Sequence, residues 1–154
     1  MEALLKKLNF KPGSRVFLGN IPDEWQALSD CFRAEGILFI EPVLDKTIDF
    51  ALVFVKEQAQ IAAVLDWLPT QMPGDACLWF AYPKATAKKY HCDFNRDTGW
   101  EALGKAGFEG VRQVAIDEEW SALRFRRVEF IQKMTRQKTR ALTQAGKAKT
   151  QTED

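Results

Sequence analysis

Short apolar runs alternate with longer amphipathic segments along this chain. Apolar runs of this length, bounded by turn residues, are typical of β-strands. They occur at RVFLG, ILFIEP, DFALVFV and ACLWFAY. The last two are apolar along nearly their whole length, which predicts strands buried on both faces, as in a parallel sheet.

The segments between these runs have the residue spacing of helices. EALLKKL predicts a short first helix, and PDEWQALSDCFRAEG predicts a second that begins near Pro22 and ends at Gly36. EQAQIAAVLDWLP predicts a helix closed by Pro69. After the fourth strand, GWEALGKAG predicts a short helix that Gly107 ends.

The order of these elements predicts the fold class. Strands that alternate with helices indicate an α/β protein with three layers and a mainly parallel sheet. VRQVAI and SALRFRRV flank DEEW and predict an antiparallel hairpin at the end of the sheet. A parallel sheet finished by such a hairpin resembles the methyltransferase variant of the Rossmann fold, which is a statement about topology and not about function.

We predict one α/β domain over residues 1–128 and a basic C-terminal segment over residues 129–154. The segment begins with helix formers, and a helix through Gln144 is expected to dock by Phe130, Ile131 and Met134. Its last ten residues are of low complexity and are expected to be mobile.

Length and composition limit the class of protein. The chain has 154 residues, of which 46% are hydrophobic and 28% charged, as in a globular domain. No apolar run approaches the ~20 residues needed to cross a bilayer, and the first residues lack an apolar signal core. We therefore expect a cytoplasmic protein without a membrane partner. The oligomeric state is not predicted.

The charge of the chain is unevenly distributed. Residues 121–154 contain nine Lys and Arg against three Asp and Glu, whereas residues 1–120 contain 13 against 18. A basic segment of this kind either folds back on the acidic body or binds an external polyanion. Six basic residues between Arg126 and Arg140 lie around a predicted helix without a stripe or stacking aromatic residues. Docking is therefore favoured over nucleic-acid binding, which stays an alternative.

Candidate ligand-binding residues follow the strands. In open α/β sheets a ligand binds beyond the carboxyl ends of the parallel strands. Here those ends deliver Gly19-Asn20, Lys56-Glu57 and Pro83-Lys84. Thr98 and Glu101 have the spacing of a capping box at the start of the next helix. Helix starts attract anions. The polar and basic residues leading to this one are Lys84, Lys88, Lys89, Asn95 and Arg96.

We interpret this loop, PKATAKKYHCDFNRDTGW, as a site for a small anionic ligand. The alternative is a solvated connection whose lysines and arginine bind nothing or pair with nearby aspartates. The acidic turn residues Asp117, Glu118 and Glu119 are expected to be solvated.

The sequence gives weaker evidence for a catalytic site or a cofactor-binding motif than for this ligand site. His91 and Cys92 are neighbours that point to opposite sides of an extended segment, which disfavours a nucleophile and base pair. Three cysteines without C-x-x-C spacing and a single histidine indicate no disulfide framework and no metal site. The turn LGNIPDEW has one glycine instead of G-x-G, and Pro22 has no N–H. S-adenosylmethionine is therefore only an alternative, and no cofactor is expected.

Three segments together resemble a bacterial family of unknown function, the domain-of-unknown-function family numbered three thousand and fifty-two. They are NFKPGSRV, WFAYPK and AGFEGVRQVAIDEEWSALRFR. The resemblance covers most of residues 8–128 and implies a small stand-alone cytoplasmic α/β protein without an activity that can be transferred. The Pro83-Lys84 pair and the Trp120-Ser121-x-x-Arg124 pattern match the family. ATAKKYHCDFNRD departs from it, since a more glycine-rich stretch is expected there.

Trp120 and Arg124 are four residues apart on a predicted strand and share one face. They are expected to lock the hairpin, with Arg124 on an aromatic ring or a carboxylate such as Glu101. The alternative is a pocket arginine that reaches toward Lys84.

The sequence leaves three functional hypotheses. The leading one is a non-catalytic binding domain for a small anionic ligand. The second is a methyltransferase-type enzyme with an atypical cofactor loop at Gly19 and Asn20. The third is an interaction protein that binds nucleic acid or another protein through the basic segment.

Overall fold

The computed structural model describes residues 2–95 and 98–131, and it has one six-stranded sheet with helices on both faces. The strand order is β2-β1-β3-β4-β6-β5. The strands are β1 (Arg15–Gly19), β2 (Ile37–Phe39), β3 (Phe50–Phe54), β4 (Cys77–Pro83), β5 (Phe108–Ala115) and β6 (Trp120–Arg127). The predicted α/β fold with a terminal hairpin is confirmed.

The first four strands are parallel, and every residue of β3 and β4 is buried. This confirms the prediction from their continuous apolar sequences. β6 pairs antiparallel with β4, and β5 pairs antiparallel with β6 at the edge of the sheet. The carboxyl ends of β1, β3 and β4 therefore meet at one edge of the sheet.

The helices connect the strands as predicted, with one correction. They are α1 (Glu2–Lys7), α2 (Gln26–Glu35), α3 (Gln58–Leu65), α4 (Leu68–Gln71) and α5 (Glu101–Lys105), and a 3-10 turn over Asp23–Trp25 precedes α2. Pro69 does not close α3. It lies in the first turn of α4, where its missing N–H costs no hydrogen bond. Gly36 and Gly107 end α2 and α5 as predicted.

Two hydrophobic cores, one on each face of the sheet, make the three layers. α1, the turn after it and α2 cover one face with Leu5, Leu8, Leu28 and Phe32. α3, α4 and α5 cover the other face, with residues such as Ile61 and Leu103. No helix within residues 2–95 and 98–131 is long and apolar enough to span a membrane.

The hairpin turn is built by Asp117. Its carboxylate accepts hydrogen bonds from the backbone N–H groups of Glu119 and Trp120, at 2.8 and 2.7 Å. The expectation that Asp117 and Glu119 are merely solvated is wrong, because each carboxylate binds backbone amides. Glu118 is exposed as expected.

The tryptophans that flank turns are core residues. Trp100 and Trp120 are buried, and Trp100 packs on Phe80, Phe94 and Phe125. Trp79 is also buried, and its indole N–H donates to the carbonyl of Leu8 at 2.8 Å.

The start of the C-terminal segment is only partly described. Ile131 is buried, whereas Phe130 is exposed and does not make the predicted docking contact. The rest of the predicted helix, with Met134 and Gln144, lies outside the described residues.

Candidate functional site: a cavity between two strand-end loops

The loop after β1 and the loop after β4 enclose a cavity of about 480 Å³, which we call the aromatic cavity. It lies at the carboxyl ends of the parallel strands, where ligands bind in open α/β sheets. Its lining residues are Asn20, Ile21, Pro22, Asp23, Glu24, Phe54, Lys56, Gln60, Lys89, Tyr90 and Trp120.

Three aromatic rings line this cavity. The rings of Tyr90 and Trp120 have centroids 4.9 Å apart, and those of Phe54 and Trp120 are 5.0 Å apart in an edge-to-face arrangement. Each residue comes from a different element: Phe54 ends β3, Trp120 begins β6, and Tyr90 lies in the loop after β4. Aromatic rings therefore form part of the cavity wall, and the half-buried ring of Tyr90 is the most accessible of the three.

Charged side chains surround the Tyr90 ring. The ammonium groups of Lys56 and Lys89 each lie 5.5 Å from its centroid, within cation–π range. The Tyr90 hydroxyl donates a hydrogen bond to the Glu24 carboxylate, and Lys89 lies 3.5 Å from the same oxygen. Lys56 has no ion pair within residues 2–95 and 98–131, which leaves its charge available to a ligand.

Backbone hydrogen bonds hold the loop after β4 in place. The Glu119 carboxylate accepts from the N–H groups of Lys88 and Lys89, at 3.0 and 3.4 Å, and the Glu119 carbonyl accepts from the N–H of Lys84. Further along, the Asp93 carboxylate accepts from the N–H of Gln58, the first residue of α3. The loop is therefore fixed both to the hairpin turn and to α3.

The N-terminus of α3 has little room for an external anion. The side-chain carbonyl of Gln60 accepts from the N–H groups of Lys56 and Glu57, at 2.6 and 3.1 Å. Together with Asp93 it occupies donors that an anion would otherwise use.

The indole N–H of Trp120 has no acceptor among the described residues, although Trp120 is only 1% exposed. Buried polar groups in native proteins are nearly always hydrogen-bonded, and an unpaired one costs about 1–3 kcal/mol. Because Trp120 also lines the aromatic cavity, a ligand there can supply the missing acceptor.

A second cavity, of about 300 Å³, lies beside the first and shares Asn20 and Gln60 with it. We call it the Glu41 cavity. It is also lined by Gly19 and by Glu41, which follows β2. The space directly against Gly19 is filled, because a Cβ added there would lie 2.9 Å from the Phe17 ring and 3.2 Å from Val53.

A third cavity, of about 430 Å³, lies between the end of β4 and the hairpin of β5 and β6. Lys84 and Asn95 are among the residues that line it. The Gln113 amide donates to the Tyr82 hydroxyl at 3.1 Å and to the Ser121 hydroxyl at 3.4 Å, and all three residues line the cavity.

The structure brings only some of the predicted site residues together. Asn20, Lys89 and Trp120 share the aromatic cavity, and Gly19 joins Asn20 in the Glu41 cavity. Lys84 and Asn95 are in the third cavity. Arg96 lies outside the described residues.

Three further predicted residues lie outside these cavities. Lys88 is exposed and meets Glu119 through its backbone. Thr98 is exposed, and its N–H donates to the Asn95 side chain at 3.0 Å. Arg124 lies on β6 opposite Trp79 and makes no carboxylate pair among the described residues.

The predicted capping box at Thr98 is wrong. α5 begins only at Glu101, its N-cap is Trp100, and no side chain caps it. The cause is local: Gly99 has φ +97° and Trp100 is buried among aromatic rings, so the chain turns into the helix later than the pattern predicts. α5 has five residues, so the predicted anion site at its start is not supported.

His91 and Cys92 do not form a catalytic pair with described partners. His91 is exposed, and burial raises the pKa of the Cys92 thiol, which disfavours the reactive thiolate. No group of three or more metal-ligating side chains occurs in residues 2–95 and 98–131.

Eight residues that line the aromatic cavity were not among the predicted ligand-binding residues, including Glu24, Phe54, Lys56 and Tyr90. The strand-end rule did point to Lys56, which follows a fully apolar strand, but Lys56 was not included in the predicted ligand site. The pairing of Tyr90 with Glu24 spans 66 positions and has no local signature.

Solved structures with a similar fold include a SAM-dependent methyltransferase, an N-methyltransferase and a pyocyanin biosynthetic protein. One from Aquifex aeolicus has a TM-score of 0.58 at 14% identity, covering 82% of this chain and 88% of its own. The N-methyltransferase NodS from Bradyrhizobium japonicum WM9 has a TM-score of 0.51 at 13% identity, covering 81% and 93%. The pyocyanin biosynthetic protein PhzM has a TM-score of 0.54 at 15% identity, covering 80% and 53%.

These similarities define the fold of the chain as Rossmann-like, of the methyltransferase type. They confirm the predicted topology and, at 13–15% identity, show the fold alone. No family model matches the chain, and no curated protein matches it either.

Proposed function

We propose that this protein binds a small planar ligand with anionic or carbonyl hydrogen-bond acceptors in the aromatic cavity. The observation that carries the proposal is that Trp120 lines the cavity and that its buried indole N–H has no acceptor among the described residues. A ligand oxygen at this position would remove the cost of the unpaired donor.

The other walls define the ligand further. The rings of Phe54, Tyr90 and Trp120 suit an aromatic or otherwise flat group. Lys56 supplies a positive charge, whereas the charge of Lys89 is shared with Glu24. A cavity of about 480 Å³ falls in the usual range for small molecules. The proposal keeps the anionic ligand predicted from the sequence and assigns no reaction. It retains Asn20, Lys89 and Trp120 from the predicted residues and adds Lys56, Phe54 and Tyr90.

A thermal-shift screen with aromatic carboxylates and nucleoside monophosphates tests this function. A ligand at 100 times its Kd adds about 2.7 kcal/mol to the free energy of unfolding, which raises Tm measurably. We expect Trp120→Phe to keep the ring packing and weaken binding, and Lys56→Gln to weaken binding of the charged members. Lys105→Gln, an exposed lysine on α5, is the matched control.

The proposal fails if no compound raises Tm, or if Trp120→Phe leaves the affinity of every binding compound unchanged. In the second case the indole N–H is satisfied by water and the ligand binds elsewhere.

A second candidate function is methyl transfer from S-adenosylmethionine, and the Glu41 cavity favours it. In Rossmann-like proteins a carboxylate about 20 residues after the first glycine binds ribose hydroxyls, and Glu41 has this spacing from Gly19. The first loop fits the cofactor poorly, because Phe17 and Val53 fill the space against Gly19 and Pro22 lacks an N–H.

Calorimetric titration with S-adenosylmethionine separates the two functions. Binding that Glu41→Gln weakens and Trp120→Phe does not would place a methyl donor in the Glu41 cavity and support the enzyme. Absence of binding would remove this second candidate and leave the first unaffected.

A further inference from the structure

We propose that Arg112 and Arg124 form a phosphate-binding site on the outer part of the sheet, separate from the three cavities. The two residues are directly opposite each other across β5 and β6. Opposite residues of an antiparallel pair point to the same face, so their side chains lie side by side.

A β-bulge produces this arrangement. The pairing of β5 with β6 jumps from Gly110 opposite Phe125 to Arg112 opposite Arg124, which leaves Val111 as the extra residue. In a regular strand Val111 would be opposite Arg124, and Arg112 would point to the other face. Bulges re-aim side chains in this way and are frequent beside functional sites.

Neither arginine has a counter-charge in the described parts of the chain. Both lack an ion pair and a side-chain hydrogen bond there, and the Nε–H of Arg124 is buried without an acceptor. Like charges at opposite positions of a sheet are destabilising. The fold thus retains an arrangement that is unfavourable until an anion binds.

The next two arginines of β6, in contrast to Arg112 and Arg124, have hydrogen-bond partners. Arg126 makes two hydrogen bonds to Asp75, at 3.0 and 2.6 Å, and Arg127 donates to three backbone carbonyls. The acidic residue on the same face of β5 is Glu109, which is buried opposite Arg126 and not opposite Arg124.

The number of charges favours a phosphate over a carboxylate. Two guanidinium groups carry two positive charges and present planar forks of N–H donors, which match the oxygen atoms of a phosphate. A phosphate dianion neutralises both charges, whereas one carboxylate neutralises only one. The phosphate has two possible sources, a free phosphate ion or the phosphodiester backbone of a nucleic acid.

Calorimetric titration of the full chain at low salt tests the site with two probes, inorganic phosphate and single-stranded oligothymidylate. We expect Arg112→Gln and Arg124→Gln each to weaken binding at least tenfold. Arg33→Gln is the matched control, because it removes one exposed guanidinium from α2 on a different part of the surface. Trp120→Phe should leave phosphate binding unchanged, which separates this site from the aromatic cavity.

Each outcome decides the proposal. Binding of inorganic phosphate supports a site for the free ion, and binding of oligothymidylate alone supports a site for a phosphodiester. The proposal is overturned if neither probe binds, if Arg33→Gln weakens binding as much as Arg112→Gln does, or if Arg112→Gln binds normally. Arg112 is exposed on an edge strand, so its variant reports on binding even if Arg124→Gln does not fold.

Discussion

The Tyr90 hydroxyl donates a hydrogen bond to the Glu24 carboxylate and so joins the loop after β4 to the 3-10 turn after β1. These segments are far apart in the sequence and form opposite walls of the aromatic cavity. Lys89 contacts the same Glu24 oxygen, so the shape of the cavity depends on the contacts that Glu24 makes with Tyr90 and Lys89.

Removing that contact should loosen the loop without disturbing the core. We expect Tyr90→Phe to keep the stacking on Trp120 and to lower the free energy of unfolding by about 1 kcal/mol, since it removes one hydrogen bond. Hydrogen exchange at the amides of residues 86–90 should become faster, while exchange in β3 stays the same. Unchanged exchange in the loop would show that Glu119, and not Glu24, holds it.

Arg127 should be far more important for stability than its neighbour Arg126. Its guanidinium donates to the carbonyls of Pro69, Met72 and Gly74, at 2.9, 2.7 and 2.6 Å. Arg127→Gln removes these hydrogen bonds, and of the three carbonyls only that of Pro69 keeps another backbone donor among the described residues, the N–H of Met72. We expect a loss of about 3 kcal/mol in urea denaturation.

Arg126→Gln is the control for this prediction. Its ion pair with Asp75 is partly exposed, so its removal should cost about 1 kcal/mol or less. Equal losses for the two variants would contradict the role given to Arg127.

Gly36 is required by close packing and not by backbone conformation. A Cβ at this position would lie 2.5 Å from the Ser14 carbonyl oxygen, which accepts the N–H of Ile37. Gly36→Ala should therefore cost about 2 kcal/mol, because backbone must move to accommodate the methyl group.

Gly74→Asn is the control variant for Gly36→Ala. Gly74 has φ +64°, which Asn tolerates, and no atom lies within 4 Å of its added Cβ. We expect its Tm to stay within a few degrees of the wild-type value. A Tm for Gly36→Ala as high as that for Gly74→Asn would contradict the crowding at Gly36.

Cys77 should make the stability of the protein decrease in alkali. Burial raises the pKa of its thiol above the ordinary value of 9.0, although Arg124 acts in the opposite direction. The unfolded chain therefore loses this proton first, so the contribution is intact below pH 9 and declines as pH rises above it. Urea denaturation at pH 8 and at pH 10 should show a smaller decline for Cys77→Ala than for the wild type. An equal decline in the free energy of unfolding for Cys77→Ala and the wild type would show that other groups cause it.

Most of the fold could be predicted because its signals are local. The apolar runs of β3 and β4 reflect burial, and the positive φ of Gly107 after α5 reflects backbone freedom; both are signals that neighbouring residues carry. Pro69 misled the prediction because a proline that follows one helix also suits the first turn of another.

The site could be predicted only in part, because its contacts are not local. The strand-end rule located Asn20 and the loop with Lys89, and the spacing of Trp120 and Arg124 placed both on one face. Which residues meet depends on tertiary packing. The Glu119 carboxylate in the hairpin turn binds the N–H groups of Lys88 and Lys89. The bulge at Val111 places Arg112 opposite Arg124. No pattern of neighbouring residues shows either arrangement.

The antiparallel pairing of β4 with β6 determines when the protein can finish folding during its synthesis. β4 is complete at Pro83, but the strand that covers its second edge is complete only at Arg127. A nascent chain that has passed Pro83 without reaching Arg127 exposes the backbone edge of a strand that is apolar on both faces. Such edges recruit other strands, so this interval of translation is when the protein most needs protection from aggregation.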